Sequence, residues 1–253
     1  KKVAIVGGGN TAIDCARTCI RLGAEVSIIY RRTKDEMPAE KFEIEAAESE
    51  GVKFHYLCNP VEYLGDSGAL REVKIEKMKL GDPDASGRRR PEPTGEYFWE
   101  DFDSIIAAIS QVPDISTFAE ERNCLDGKQL ALSRWQTAIV DENTMYSGMA
   151  NVFAGGDFQR GAATAIEAIA DGRKAAEAIQ AYLTSGSLPV AKFIFDARKA
   201  QKVQDVSADQ YSIVERIARV KMPEIPLEKA VISFEEVEQG FSEQAARTEA
   251  SRC

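Results

Sequence analysis

The pattern of apolar and polar residues predicts a strand, a helix and a second strand at the start of the chain. Val3–Val6 is a short apolar run of the length expected for a buried strand, and Val26–Tyr30 is a second one. Between them, Ile13, Ala16 and Ile20 recur at helical spacing. Together these segments predict a βαβ unit, from which Rossmann-like parallel sheets are built.

The following residues predict the rest of this α/β domain and an insertion in it. A glutamate-rich helix is expected from Thr33 or Asp35 to about Glu50, where Gly51 ends it. Short alternating runs separated by turn-rich segments then predict an antiparallel β-meander inserted before the last strand of the domain. The predicted strands are 52–57, 61–65, 70–80, 96–102 and 104–110.

The second half of the chain predicts another strand–turn–helix unit and a charged, mostly helical tail. Residues 136–140 and 152–154 have the pattern of strands, and the second run leads into Gly155-Gly156-Asp157. A long helix is expected over 161–184, and helical patches near 207–219 and 234–252. The apolar face of the long helix is predicted to comprise Ala165, Ile166, Ile169, Ala176 and Ile179.

The glycines between the first strand and helix fit the pattern G-x-G-x-x-A. Gly7 allows the chain to turn sharply out of the strand, and Gly9 allows the backbone to come close to a pyrophosphate. Ala12 allows the helix to lie close to the sheet. Unpaired N–H groups at the helix start hold a phosphate without a lysine. The strand–turn–helix context therefore predicts dinucleotide binding.

The end of the second predicted strand indicates which dinucleotide binds. An NAD site has Asp or Glu there, about 20 residues after the glycines, to bond the ribose 2′-hydroxyl. This strand ends in Arg31 and Arg32, and the first acidic residue after them is Asp35. A guanidinium that binds a 2′-phosphate would favour NADP over NAD by roughly tenfold to a hundredfold. The alternative is a glycine turn of another α/β protein with two solvated arginines.

Composition excludes several function classes. The chain has 253 residues and a net charge of −9, which argues against general nucleic-acid binding and against attachment to an anionic membrane surface. It has no apolar run of about 18 residues, so no membrane span is predicted. Its single histidine, His55, does not provide a histidine-based metal site or a Ser-His-Asp triad. Five cysteines without a C-x-x-C motif favour a reducing, cytoplasmic location.

Several motifs, in this order, resemble those of the NADPH-dependent, flavin-containing small subunit of glutamate synthase and its relatives among iron–sulfur oxidoreductases. The resemblance covers about residues 1–185. The motifs are VAIVGGGNTAIDCARTCIRLGA, YRR with EMPA, SGRRRPEP, AISQVPD and NVFAGGDFQRGAATAIEAIADGRKAA.

The resemblance implies a division into three parts. Residues 1–112 are expected to be the NADP(H)-binding domain and 113–185 the C-terminal part of an FAD-binding domain. Residues 186–253 are expected to be an appendage that leads toward an iron–sulfur module, with Cys253 as its first cysteine. One cysteine does not form a cluster, which needs four ligands. The first FAD-binding βαβ unit is missing, so the chain is expected to be a piece of a longer protein.

The resemblance also assigns residues to the cofactors. NADPH is expected on the glycine turn and the helix start, and FAD on the second turn, with no catalytic acid or base and no metal ligand in the chain. Ser110 stands where the family usually has glycine. The cofactor-binding residues implied are Gly7, Gly9, Asn10, Thr11, Ala12, Arg31, Arg32, Gln111, Gly156, Asp157, Ala162, Ala163 and Thr164.

The intact protein is then expected to pass a hydride from NADPH to FAD and electrons on to an iron–sulfur protein or partner subunit. Glutamate synthesis, ferredoxin reduction and hydrogenase or formate dehydrogenase coupling remain open as the destination of the electrons. Two other functions also remain open. One is a stand-alone NADP dehydrogenase, and the other is a non-catalytic docking module that uses Arg88–Arg90 and the tail.

Overall fold

A computed structural model of the chain describes residues 1–83, 87, 89–116, 130–189 and 217–252. The chain divides into two compact units. The first consists of Lys1–Ile109 and Val214–Cys253, and the second of Ser110–Ile213. The predicted domain limits, 1–112, 113–185 and 186–253, concern cofactor assignment and remain predictions.

The first unit contains a parallel sheet of four strands, β1 (Lys2–Val6), β2 (Glu25–Tyr30), β3 (Lys53–Tyr56) and β7 (Ser104–Ala107). Their order in the sheet is β3-β2-β1-β7. The strands are short and rich in apolar residues, as expected for strands buried on both faces. Helix α1 (Asn10–Arg21) connects β1 to β2, and helix α2 (Lys41–Ser49) connects β2 to β3.

The predicted meander is confirmed as a second, antiparallel sheet with the order β4-β5-β6. It consists of β4 (Cys58–Asp66), β5 (Ala69–Pro83) and β6 (Arg89–Asp101), which are longer than the sequence pattern suggested. Ser67 and Gly68 both have positive φ, 53° and 82°, which allows β4 to turn directly into β5.

The two faces of the parallel sheet are covered differently. On one face, Ile5 and Ile28 join a buried cluster with Ile13 and Ala16 of α1. On the other face, Ala4 and Ile29 are buried with residues of the antiparallel sheet, among them Val73 and Ile75. The neighbouring residues of β1 thus point to opposite faces, as the two-residue period of a strand requires. The parallel sheet is therefore buried from both sides.

The prediction of a single helix between Thr33 and Glu50 is wrong. A 3₁₀ turn (Lys34–Glu36) is followed by an extended segment, and α2 begins only at Lys41. Pro38 explains the interruption, because a proline disfavours helical geometry in the residue before it. Met37 is indeed extended, with φ −67° and ψ 128°.

The second unit is less regular than predicted. The strands expected at 136–140 and 152–154 are isolated bridges, Leu132 with Ala138 and Tyr146 with Phe153. Short helix α3 (Asp157–Arg160) follows the second glycine turn, and the long helix, α4, spans Ala165–Ser185. The start of α4 predicted at residue 161 is wrong, because Thr164 is the N-cap residue. The side-chain oxygen of Thr164 accepts a hydrogen bond from the N–H of Glu167.

The predicted apolar face of α4 is not buried. Ile166 is 79% exposed and Ile169 is 64% exposed, and Ile179 is exposed as well. The buried positions of α4 are Asp171 and Ala178. Apolar periodicity did not indicate that Asp171 is buried, because its burial depends on polar contacts with the turn that precedes the helix.

The described part of the tail, 217–252, contains α5 (Leu227–Ala230) and α6 (Glu243–Ala250). The second is shorter than the helix predicted over 234–252. Residues 207–216 of the other predicted patch lie outside the described residues, as do Arg88 and Cys253. Among the helices that the structure describes, none has the length and apolar character needed to cross a membrane.

A buried ionic cluster fixes α1 to the end of α2. The side chain of Glu50 is 3% exposed and lies 2.8 Å from Nη2 of Arg17 and 2.7 Å from Nη1 of Arg21. Arg17 also reaches Glu43 at 2.6 Å. Burial by itself would raise the pKa of Glu50, but the hydrogen bonds from Arg21 and Arg17 outweigh it and lower that pKa.

We expect Glu50→Gln to destabilise the protein by roughly 3 kcal/mol at pH 7, because it removes the buried negative charge that Arg17 and Arg21 share. The folded-state pKa of Glu50 lies below the ordinary value of 4.5. The contribution of ionised Glu50 to the free energy of unfolding is therefore complete above about pH 4.5 and is lost as pH falls through the folded-state pKa. Urea denaturation of the parent chain and of Glu50→Gln between pH 7 and pH 3 measures this contribution. The difference in free energy of unfolding between the two should shrink in acid.

Glu45→Gln is the matched control, because Glu45 is exposed on the same helix. It should change the free energy of unfolding by less than about 0.5 kcal/mol. Equal stabilities of the two variants at pH 7 would contradict a structural role for the cluster.

Candidate functional site

The glycine turn and the arginine pair lie at the same edge of the parallel sheet. Strands β1 and β2 are parallel and in register, with Val6 opposite Ile29, so their carboxyl ends coincide. The turn Gly7–Gly9 leaves the first strand and Arg31-Arg32 leaves the second. The edge is also a topological switch point, because β2 and β7 flank β1 on opposite sides. Such points are where open α/β sheets bind their ligands.

Two of the three glycines are required by packing. Gly7 has φ +142°, and a Cβ there would lie 2.3 Å from the carbonyl oxygen of Ala108. A Cβ on Gly8 would lie 2.5 Å from the ring of Tyr30. No role was predicted for Gly8 from the sequence. Tyr30, the aromatic residue at the end of β2, is the sequence feature that would have indicated a packing role for Gly8.

Gly9 differs from its neighbours. Its φ is −91°, an ordinary value for any residue, and the nearest atom to an added Cβ is Cγ of Pro38, at 4.0 Å. Folding therefore does not require glycine at this position. A methyl group here would occupy the space above the turn that a pyrophosphate needs, so the structure fits the role predicted for Gly9.

The start of α1 suits an anion. Gly9 is the N-cap residue, no side chain caps the helix, and the first turn contains no acidic residue. Ala12 is fully buried, which allows the close packing predicted for the third position of the motif. Asn10 and Thr11 are exposed beside it. The positive end of the helix dipole is thus left for a ligand.

The segment 31–40, here called the arginine loop, is bound to the glycine turn. The N–H of Ala39 donates to the carbonyl oxygen of Gly8 at 3.1 Å. The N–H of Glu40 donates to Oδ1 of Asn10 at 3.0 Å. The hydroxyl of Tyr30 donates to the carbonyl oxygen of Glu36 at 2.7 Å. The Oδ1 of Asn10 therefore helps to hold this loop, and the predicted contact of Asn10 with the cofactor stays a prediction.

The two arginines have different environments. Arg31 is exposed, whereas Arg32 is only 8% exposed. Nε of Arg32 is buried and has no hydrogen-bond partner among the described residues. A buried donor without a partner is costly. An anion bound at this edge of the sheet would remove that cost.

In the second unit, Gly155–Asp157 form the predicted turn. Gly156 has φ +62°, a value that favours glycine, and Asp157 is exposed. Ala162 and Ala163 are exposed just before α4. Thr164 is engaged in a capping box, and its hydroxyl lies 2.7 Å from Oε2 of Glu167. The hydroxyl of Thr164 is therefore used within the helix.

Ser110 and Gln111 follow the last strand of the first unit. Ser110 has φ +86°, a conformation that glycine adopts at much lower cost than serine. This is the position where the resemblance expects glycine, so the backbone keeps a glycine-like conformation in spite of the side chain. Gln111 is exposed, and its predicted contact with a cofactor stays a prediction.

Comparison with known proteins gives a family and several relatives. Residues 1–172 match the pyridine nucleotide-disulphide oxidoreductase family. The chain is 42% identical to the NADP(+)-dependent formate dehydrogenase subunit beta of Moorella thermoacetica, over all of this chain and 35% of that protein. It is 35% identical to the NADPH-Fe(3+) oxidoreductase subunit beta of Geobacter sulfurreducens, over all of this chain and 41% of that protein.

A third relative matches over a shorter region. The glutamate synthase [NADPH] small chain of Azospirillum brasilense is 40% identical over 76% of this chain and 39% of that protein. The chain thus spans about two fifths of the length of these relatives or less.

Two solved structures share the fold. The T. acidophilum thioredoxin reductase has a TM-score of 0.57 at 22% identity and covers 74% of this chain and 53% of that one. Mycobacterium tuberculosis FprA in complex with NADPH has a TM-score of 0.55 at 17% identity, and the match covers 73% of this chain and 53% of that one. The resemblance stated from the sequence, the α/β class and the oxidoreductase class are confirmed.

We expect Gly9→Ala and Gly7→Ala to have separate effects. Gly9→Ala should leave the melting temperature nearly unchanged and weaken NADP⁺ binding by about tenfold or more, because the added methyl group meets no protein atom and fills the phosphate space. Gly7→Ala should destabilise the fold by more than about 1 kcal/mol, because of its positive φ and its contact with Ala108. Thermal unfolding and calorimetric titration with NADP⁺ measure the two effects.

The prediction fails if Gly9→Ala binds NADP⁺ as tightly as the parent chain. Gly23→Ala is a suitable control for Gly7→Ala, because Gly23 also has positive φ, +79°, but nothing lies within 4 Å of its added Cβ. It should therefore destabilise the chain less than Gly7→Ala.

Proposed function

This chain belongs to the pyridine nucleotide-disulphide oxidoreductase family, and we propose that it is the NADP(H)-binding part of a flavin-dependent oxidoreductase subunit. In the intact protein, reducing equivalents pass from NADPH to FAD and then to iron–sulfur centres. The residues of this chain bind and orient the cofactors, and the cofactors supply the transfer chemistry.

One observation carries the proposal for NADP(H). The buried Nε of Arg32, which has no hydrogen-bond partner in the described part of the chain, and the open space at Gly9 occur at the carboxyl ends of neighbouring parallel strands. An arginine in this position fits a 2′-phosphate, since it binds phosphate oxygens with its charge and its fixed donors. Arg31 adds an exposed second charge. The pyrophosphate then lies at the start of α1, near Gly9 and Ala12.

The flavin side of the proposal concerns the second unit. We infer that Gly156 and Asp157 hold the ribitol and phosphate of FAD and that the segment Ala162–Thr164 lies at the edge of its ring. The exposed carboxylate of Asp157, in a turn with a glycine at positive φ, supports this inference. Gln111 is proposed as a further cofactor contact.

The longer protein is proposed to supply the remainder of the flavin domain. The chain corresponds to 35% and 41% of the length of two relatives that align with all of it. Ile166 and Ile169 on α4 are largely exposed in this chain, and burying them gives a reason for their apolar character. The isolated chain is then expected to bind NADP(H), to hold FAD poorly and to turn over nothing by itself.

The electron acceptor is proposed to be a partner subunit with iron–sulfur centres. Two relatives that align with all of this chain are named as beta subunits, one of an NADP(+)-dependent formate dehydrogenase and the other of an NADPH-Fe(3+) oxidoreductase. This supports electron transfer between subunits. A cytoplasmic location is part of the proposal, and it is supported by the free thiols of Cys15, Cys19 and Cys58.

Calorimetric titration with 2′-phospho-AMP and AMP tests the cofactor choice. The parent chain should bind 2′-phospho-AMP at least about tenfold more tightly than AMP, because each charge-assisted hydrogen bond contributes roughly 1.5–3 kcal/mol. Arg32→Ser should remove most of this preference while leaving AMP affinity nearly unchanged. Arg31→Ser should reduce it less, since Arg31 is exposed to solvent.

Arg71→Ser is the matched control, because Arg71 is an exposed arginine on the antiparallel sheet. It should keep the preference of the parent chain. Equal affinities of the parent chain for the two nucleotides would overturn NADP(H) specificity, and the absence of any nucleotide binding would favour a docking module instead.

A further inference from the structure

Asp171 is the most deeply buried charged residue among those that the structure describes. It lies within α4, and its side chain is fully buried. A buried carboxylate is costly unless charges and hydrogen bonds compensate it. Both of its oxygens accept hydrogen bonds, and the donors that the structure describes, Gly156 and Arg160, belong to the turn and short helix at 155–160.

The contacts of Asp171 hold this turn from one side. Nε of Arg160 donates to Oδ2 of Asp171 at 2.6 Å, and Nη2 of Arg160 donates to Oδ1 at 2.7 Å. The N–H of Gly156 donates to Oδ2 at 3.1 Å. A bidentate pair of this kind fixes direction as well as distance. One carboxylate therefore sets the position of both ends of α3.

The turn also lies directly against the helix. A Cβ on Gly155 would lie 2.8 Å from Cβ of Asp171, and a Cβ on Gly156 would lie 3.4 Å from Cβ of Ala168. Because these glycines have no side chains, the backbone of the turn comes within hydrogen-bond distance of Asp171. Asp157, between the two tethered residues, remains exposed.

We propose that Asp171 and Arg160 form a positioning pair for the flavin-binding turn Gly155–Asp157. The pair does not contact the cofactor; it fixes the backbone on either side of Asp157, so that the carboxylate of Asp157 is presented in one position. This inference rests on the proposed assignment of Gly156 and Asp157 to FAD and extends it to two residues for which no role was predicted from the sequence.

The charge state of the pair agrees with this role. The hydrogen bond from Arg160 is the main cause that lowers the pKa of Asp171, against the opposing effect of burial, and the N–H of Gly156 lowers it further. The same hydrogen bond raises the pKa of Arg160. Both groups are therefore charged at neutral pH, and the positioning pair persists there.

The test uses the full-length protein that contains this chain, with and without Asp171→Asn and Arg160→Gln. Asparagine at position 171 keeps an acceptor for the N–H of Gly156 but removes the negative charge of the ion pair. Arg160→Gln removes the guanidinium, which is the partly exposed member of the pair. Each substitution should raise the dissociation constant for FAD about tenfold and change the visible circular dichroism of the remaining bound flavin. Binding of 2′-phospho-AMP in the first unit should stay unchanged.

A double-mutant cycle shows whether the two residues act together. If they form one positioning pair, the double variant should bind FAD no more weakly than either single variant. Arg173→Gln, at an exposed position of α4, is the matched control and should behave as the parent protein. Additive losses in the double variant would overturn the paired role.

The outcomes separate this inference from the proposed function. A full-length parent protein that binds no FAD would overturn both. A parent protein that binds FAD, with Arg160→Gln and Asp171→Asn binding it within twofold and with unchanged circular dichroism, would overturn only the positioning role. If Asp171→Asn does not fold, Arg160→Gln alone decides by the same criteria.

Discussion

The close approach of three main-chain segments at the end of β1 is the constraint on which the first unit depends. The hydrogen atom of Gly7 occupies the place where a side chain would strike Ala108, and Gly8 lies against the ring of Tyr30. Only glycine allows β1 to leave the sheet at this point while β2 and β7 remain paired on its two sides. Gly9 then leaves open space at the start of α1. Packing thus requires glycine at Gly7 and Gly8, whereas at Gly9 only the proposed binding of a pyrophosphate gives a reason for glycine.

Buried charges perform a comparable task in both units. Glu50 joins the end of α2 to two arginines of α1, and Asp171 joins α4 to the turn that precedes it. In each case a carboxylate within a helical segment or at its end accepts hydrogen bonds from another element. Apolar packing is not directional, so it does not set the position of a turn to a fraction of an ångström. Bidentate ion pairs do this, because their geometry is fixed.

The two units differ in how completely they bury their own apolar residues. In the first, both faces of the parallel sheet are covered, by α1 and α2 on one side and by the antiparallel sheet on the other. In the second, the described residues contain isolated bridges in place of the strands expected, and α4 leaves Ile166 and Ile169 exposed. This difference agrees with the alignment, in which the chain matches only 35% of the length of one relative. Under the proposed function, a further segment of the flavin domain covers these apolar positions of the second unit.

The sequence by itself determined the parallel βαβ unit, the antiparallel insertion and the dinucleotide motif, because these depend on local periodicity and on small residues at fixed spacing. It also indicated the family, since several motifs occur in one order. The tertiary structure alone decided that Arg32 is buried while Arg31 is exposed and that Asn10 holds the arginine loop. It also decided that Asp171 lies on the buried side of α4. Each of these depends on contacts between residues far apart in the chain, such as Asn10 with Glu40. Hydrophobic periodicity carries no information about such polar contacts, and for this reason it did not indicate that α4 buries Asp171.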